Sequence, residues 1–281
     1  MTRRGENHAP RSAPGRNCLF IDIHTHLDQY DDSELPGVLQ RAAEADVGAI
    51  VVAGVTAAGS ARSVVLALAN PALFAAVGAH PQDLDGPLSG SDLANLDSLA
   101  GDEAVVAMSE VGLDFQPSSP PHDDQEAALR AQIAIARNHG LAVIWHMREA
   151  TAECLRIMRD ERVGELGGAA HYFQGSYDEA SAVIDMGCKI SFAKPLLRLP
   201  ELQDVAARIP LDAIVLETDS FPQPFKKNRE KWTEPRDVPL VARKLAELRG
   251  IDVSEVMAAT TGNALSMLGA RGEHLAARLG A

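Results

Sequence analysis

Residues 19–28 read LFIDIHTHLD: an apolar, β-branched run that closes on two histidines separated by one residue. A short continuous run of this kind predicts a strand buried on both faces. Leu35, Val38, Leu39 and Ala42 follow at three- and four-residue spacing, the mark of a helix with one apolar face.

The same pairing of run and helix recurs along the chain. AIVVAGV (49–55) leads to a helix with Val64, Val65 and Leu68 expected on one face, and LFAAVGAH (73–80) to one carrying Leu93, Leu96 and Leu99 after a helix start at Ser91. AVVAMSEVG (104–112) precedes a long helix over 123–139 that stops at Gly140, and LAVIWH (141–146) precedes one with Cys154, Leu155 and Met158. GGAAHYF (167–173), CKISFA (188–193) and DAIVLETD (212–219) follow, with helices over 177–186, 200–209, 236–249 and 252–268. Eight strand-like runs alternating with helices predict a single-domain α/β protein, a (β/α)8 TIM barrel, a fold of about 250 residues. A doubly wound open sheet would place a glycine-rich phosphate loop after its first strand, where this chain has His-Thr-His. The barrel is assigned to residues 18–281, and the polar, Arg-, Pro- and Gly-rich residues 1–17 are expected to be a disordered extension.

Composition narrows the function classes. Aromatics are only 4% while small and branched aliphatics abound, as in sheets and helices that pack through Ala, Val and Leu. Three scattered cysteines support neither a disulfide framework nor a thiolate metal site and suit a reducing cytoplasm. No apolar run approaches the roughly 20 residues of a membrane span, and the N-terminus has no signal-peptide core. A net charge of −13 opposes broad, non-specific nucleic-acid binding, so a phosphate substrate would need a local positive field. No obligate protein partner and no membrane association are expected.

His24 and His26, with Asp22 before them, share a strand face if alternation holds, and two imidazoles side by side can hold one metal ion. Alone the pattern is weak in a chain with nine histidines. It gains force from the other strand ends, where barrel enzymes assemble their sites: Glu110, His146, His171 and Asp219 close strands four, five, six and eight. One ion would sit with His24, His26 and Asp219 and a second with His146 and His171, with Glu110 bridging. Two divalent ions so placed ionise a shared water and neutralise charge on a leaving oxygen.

IDIHTHLD, VGAHP, SEVGLDF with a following helix carrying Gln125, WHMREA, HYFQGS, LETDSF, TEPRDV and GNAL together resemble the TatD family of metal-dependent deoxyribonucleases, within the amidohydrolase superfamily. The resemblance spans about residues 19–268. It implies the barrel fold, metal ligands at His24, His26, Glu110, His146, His171 and Asp219, and hydrolysis of DNA, often from the 3′ end; some relatives are credited with removing D-amino acids from transfer RNA. The chain departs from the family pattern at four places. Ser109 stands where Gly is usual, Met147 where Ser is common, Phe221-Pro222-Gln223 follows Asp219, and the usual Arg-Asn before Glu234-Pro235 is missing.

The positive field is sought on the catalytic face, with Arg148 and Lys194 meeting a phosphate near the metals and Lys226, Lys227 and Lys231 holding a polynucleotide further out. His80 is a candidate substrate contact at the end of strand three. Asp22 and Glu217, each two residues before a ligand, are expected to orient metal-bound imidazoles or pair with cations. Asp219 is assigned the proton of the attacking water and Glu110 the bridge. The reading is thus a 3′-to-5′ deoxyribonuclease using two divalent ions (Mg, Mn or Zn), with DNA as substrate. The rivals are an esterase, lactonase or aminoacyl-ester deacylase and, behind them, an inactive binding scaffold. Lactonase-type relatives bridge their metals through a carboxylated Lys on strand four, and here that strand offers Glu110 and no Lys.

Overall fold

The computed structural model describes residues 19–279. The expectation for residues 1–17 lies outside them. Eight parallel strands pair in sequence order: β1 (Phe20–Thr25), β2 (Val47–Ala53), β3 (Leu73–Val77), β4 (Val105–Asp114), β5 (Ala142–Arg148), β6 (Gly168–Ala170), β7 (Lys189–Phe192) and β8 (Ile214–Leu216). Helices α1 (Leu35–Glu44), α2 (Ala57–Ala69), α3 (Gly90–Ala100), α4 (His122–His139), α5 (Thr151–Asp160), α6 (Tyr177–Asp185), α7 (Pro200–Arg208) and α8 (Val238–Arg249) follow the strands in turn. Two more, α9 (Val253–Met267) and α10 (Gly269–Leu279), end the described chain. The architecture is a (β/α)8 barrel.

The barrel closes between β1 and the segment after β8. His26 N–H donates to Ser220 O at 2.8 Å and Asp219 N–H to His24 O at 3.0 Å, so the closure itself sets Asp219 beside the histidine pair.

Aliphatic side chains explain the layers. Outward-facing residues such as Ile50, Leu73, Val105 and Ile190 join Val38, Leu96, Leu129 and Val241 of the helices in one core. Alternate strand residues, among them Ile21, Val51, Phe74, Ile144 and Val215, form a second cluster with Met267 and Leu275 of the last two helices and Leu268 between them. The terminal helix reaches the loops that precede the strands, since Arg278 donates to Asn70 O and Arg271 to Asp102 O, and it leaves the opposite mouth open.

Four local expectations change. In α2 only Val64 is buried, while Val65 and Leu68 are 63% and 67% exposed, because that helix offers the sheet a narrower stripe of Ser60, Ser63, Val64 and Ala67. α3 starts at the N-cap Ser89 and not Ser91: the Ser89 hydroxyl accepts from Asp92 N–H, and the Asp92 carboxylate accepts from Ser89 N–H. β4 and β5 run on past the rim to Asp114 and Arg148, which places Glu110 and His146 inside strands. Gly112 permits that extension, since a Cβ there would lie 2.0 Å from His146 O. In β1 the register with β2 shifts between Asp22 and Thr25, so strict alternation does not carry Asp22 to the face that the histidines reach.

Candidate metal centre

Six donors converge at the open mouth, all of them buried or nearly so. His24 and His26 turn their Nε2 atoms to within 3.4 Å of each other. Glu110 lies between two sets of imidazoles: Oε2 is 3.4 Å from His24 Nε2 and 3.3 Å from His26 Nε2, while Oε1 is 3.1 Å from both His146 Nδ1 and His171 Nε2. Asp219 Oδ1 stands 3.3 Å from His26 Nε2 and 4.0 Å from His24 Nε2. His80 joins the group as well, its Nε2 3.4 Å from Glu110 Oε1.

Three sets of donors lie close enough to hold a cation: His24 with His26 and Asp219, His24 with Glu110 and His171, and His80 with Glu110 and His146. His146 and His171 therefore fall in separate sets, and the third set includes His80, expected from sequence only as a substrate contact. The chemistry of the donors suits divalent ions, with imidazoles that can give up a proton to a cation set around two anionic carboxylates.

The electrostatics follow from packing imidazoles and carboxylates together away from water. Burial would raise the Glu110 carboxyl, but the imidazoles of His171, His80 and His146 hold it well below the ordinary range. Burial would likewise raise Asp219, and the hydrogen bond from His26 keeps it low. Burial would lower His26, His80 and His171. Asp219 and Glu110 hold His26 well above its usual value, Glu217 and Glu110 do the same for His171, and Glu110 with Asp83 brings His80 to about 9. His24 is lowered, by burial and by the neighbouring His171 ring stacked at 3.9 Å.

Each imidazole is held from behind. His26 Nδ1 reaches Ala53 O at 3.3 Å, and His146 Nε2 reaches Asp114 Oδ2 at 2.9 Å. His171 Nδ1 is 3.1 Å from Glu217 Oε1, near enough for ionic attraction though off the line of a hydrogen bond. His24 Nδ1 lies 3.2 Å from Ser109 Oγ. Glu217 thus lies behind a candidate ligand. Asp22 does not: its carboxylate accepts from the Thr218 N–H at 3.0 Å and the Thr218 hydroxyl at 2.5 Å, bracing the turn that carries Asp219. The sequence reading above gives Asp114 no role. The available signal was its position four residues after Glu110 on one strand, legible only if that strand is extended past the rim. Gln125, on α4, locks Asp114 by accepting from its N–H and donating to its carbonyl, both at 2.8 Å.

Above the donors opens a cavity of about 750 Å³, lined by His26, His80, Glu110, His146, His171 and Asp219 along with Arg148, Tyr172 and Phe221. Glu149, Tyr172 and Asp219 around it adopt positive φ values of 55°, 47° and 51°, uncommon for residues with a Cβ and frequent near functional sites. The expected positive field is largely spent within the protein. Arg148 lines the cavity but donates to Asp114 at 2.7 Å, and Lys194 pairs with Asp237 at 2.5 Å. Lys194, Lys226, Lys227 and Lys231 are absent from the cavity wall, and Lys226 is tied to Gln223 Oε1 at 2.7 Å.

A barrel with imidazoles and carboxylates gathered at the mouth after its strands is the architecture of a metal-dependent hydrolase. Residues 21–269 match the family of TatD related DNases, and the chain belongs to that family. It is 34% identical over 253 residues to YabD of Bacillus subtilis, an uncharacterized metal-dependent hydrolase, covering 88% of this chain and 97% of that one. It is 31% identical over 254 residues to the 3′-5′ ssDNA/RNA exonuclease TatD of Edwardsiella piscicida, covering 87% and 97%. The crystal structure of YjjV, a TatD homologue from Escherichia coli K12, superposes with a TM-score of 0.81 at 30% identity over 89% of this chain and 98% of that one.

Proposed function

We propose that the protein hydrolyses phosphodiester bonds at the 3′ end of single-stranded nucleic acid, DNA foremost, using two divalent cations. The observation that carries this reading is Glu110, whose two carboxylate oxygens face separate groups of imidazoles at the floor of an open cavity. Its support outside the geometry is the ssDNA/RNA exonuclease named among the relatives.

His24, His26 and Asp219 would hold one ion; His146 with His80 alongside would hold the other, joined by His171 through the Glu110 oxygen that both rings face at 3.1 Å, and Glu110 would touch both. Such a pair supplies Lewis acidity and brings water ionisation near neutral pH; the imidazole-rich donor set favours Zn²⁺ or Mn²⁺ over Mg²⁺. Asp219, kept ionised and with its side chain reaching the cavity, accepts the proton of the attacking water. The water oxygen bonds to phosphorus as the bond from phosphorus to the 3′ oxygen of the preceding sugar breaks, and that oxygen leaves with a proton. Arg148, oriented by Asp114, faces the charge that develops on the phosphoryl oxygens. Lys194 is a substrate contact only if its pairing with Asp237 opens. The buried thiols of Cys154 and Cys188 suit action in the reducing cytoplasm.

One observation favours a second reading, an aminoacyl-ester deacylase. Arg148 is the lone Lys or Arg on the cavity wall among the described residues, against the rim carboxylates of Asp83 and Glu149, an arrangement that welcomes an ammonium group as readily as a polyanion. Metal-reconstituted protein, with chelator controls, should therefore be assayed on 3′-labelled single strands, duplex ends, a small phosphodiester and D-aminoacyl-tRNA. Release of mononucleotides from single strands is expected; deacylation without it transfers the assignment to the second reading.

A further inference from the structure

Three of the four central imidazoles are backed by a carbonyl or a carboxylate, and the fourth is not. Behind His24 stands Ser109, its Oγ 3.2 Å from Nδ1, both residues fully buried. Among the described residues Ser109 Oγ has no other hydrogen-bond partner. The ring cannot turn away to find one: His171 stacks on its face at 3.9 Å, and its Nε2 is fixed among Glu110 Oε2, His26 Nε2 and Asp219 Oδ1. Gly78 on the neighbouring segment leaves room for this approach, since a Cβ there would lie 2.9 Å from the Ser109 carbonyl.

A neutral imidazole carries one proton, and the nitrogen that holds it cannot bind a cation. An ion at Nε2 therefore requires the proton at Nδ1, where it becomes a buried N–H that needs an acceptor. A serine hydroxyl accepts there and, being free to rotate, also donates to Nδ1 when the ring carries its proton at Nε2.

We propose that Ser109 is a positioning residue, which accepts from His24 Nδ1–H and so stabilises the form of the ring that presents its Nε2 lone pair to the ion shared with His26 and Asp219. The inference rests on the metal-binding reading above and concerns a residue at which this chain departs from the glycine usual in the sequences it resembles. The two carboxylate-backed rings, His146 and His171, do not depend on it, so with the ions held as in that reading the effect falls on the one that His24 shares with His26 and Asp219.

Metal-free protein titrated with Zn²⁺ against a competing chelator provides the test. Ser109→Ala should weaken one ion by about tenfold and leave the other unchanged. Its metal-free melting temperature should fall only by the loss of one buried hydrogen bond, with the barrel still folded, and lost activity should return as free Zn²⁺ is raised. Ser191→Ala, which removes another buried strand hydroxyl, one without a partner among the described residues, controls for the small void and should leave both ions unchanged. Wild-type affinities in Ser109→Ala, or equal weakening of both ions there, overturn the role of Ser109. A wild-type protein that holds less than one ion per chain overturns the metal reading itself, a result seen before any variant is made.

Discussion

Asp114 Oδ2 accepts from His146 Nε2 at 2.9 Å and from Arg148 Nε at 2.7 Å, so one buried carboxylate oxygen fixes a candidate ligand and the only Arg or Lys on the cavity wall among the described residues. Asp114→Asn keeps the shape and removes the charge. Partners of this kind behind a ligating histidine cost about 10- to 100-fold when changed, and that loss in kcat/KM is expected here. Because Arg148 depends on the same oxygen, Arg148→Ala added to Asp114→Ala should cost much less than it does in the wild type. Fully additive losses would show that the two residues act independently.

Glu110 is the group on which both halves of the site depend. Glu110→Gln is nearly isosteric, yet it takes away the negative charge that draws the surrounding imidazoles inward. Turnover should fall below about one-hundredth of the wild-type rate, beyond the effect of a residue behind a ligand, and bound metal should drop below two ions per chain. Circular dichroism should still show the intact barrel, whose core lies elsewhere. Substantial hydrolysis by this variant would remove Glu110 from the bridge.

Ion binding should release protons. In the metal-free protein His26 and His171 are held well above their ordinary value, by Asp219 and Glu110 and by Glu217 and Glu110, so both carry protons at neutral pH; Glu110 and Asp219, held low, are already ionised. A cation must displace those imidazole protons. Apparent affinity should therefore climb as pH rises through neutrality, levelling off above the raised values, and calorimetry in buffers of different ionisation enthalpy should count at least one proton released per chain. The stability that the protonated rings lend the metal-free barrel runs the opposite way. It is complete below the unfolded histidine value of about 6.5 and is lost as pH rises through the folded values. The stabilisation that metal gives in a thermal melt should consequently be larger at pH 8.5 than at pH 6. A pH-independent affinity would mean that the rings are neutral before metal arrives.

The strands and most of the clustered donors were legible because a parallel barrel buries its strands on both faces and leaves chemistry at their ends, so aliphatic runs stopping at His24, His171 or Asp219 announce themselves. Partnerships across the fold were not. That Asp22 braces Thr218, that Lys194 is neutralised by Asp237 and that Ser109 reaches His24 depend on segments 196, 43 and 85 residues apart, which no local pattern encodes. Helix facing failed for a related reason: apolar identity alone put Val65 and Leu68 inside. Replacing both by Lys should change stability by less than about 0.5 kcal/mol each, whereas Leu96→Ala, fully buried on α3, should cost about 2–5 kcal/mol. Denaturant melts would distinguish the two, and a large loss in the lysine variants would restore α2's broader buried face.

The lysines beyond β8 lie off the cavity wall, which limits what they can do for catalysis. Lys227 and Lys231 are exposed and Lys226 is only partly so. Charges in such places attract a polyanion from a distance but do not touch its reacting end, and their effect fades with salt. Lys226→Glu, Lys227→Glu and Lys231→Glu together should raise KM for a strand of about twenty nucleotides at low salt, by an amount that shrinks as ionic strength approaches 0.15 M. KM for a small phosphodiester, and kcat for either substrate, should not move. A small substrate weakened as much as the long one would place these side chains at the reacting phosphate, and no effect on either would leave the loop a solvated surface.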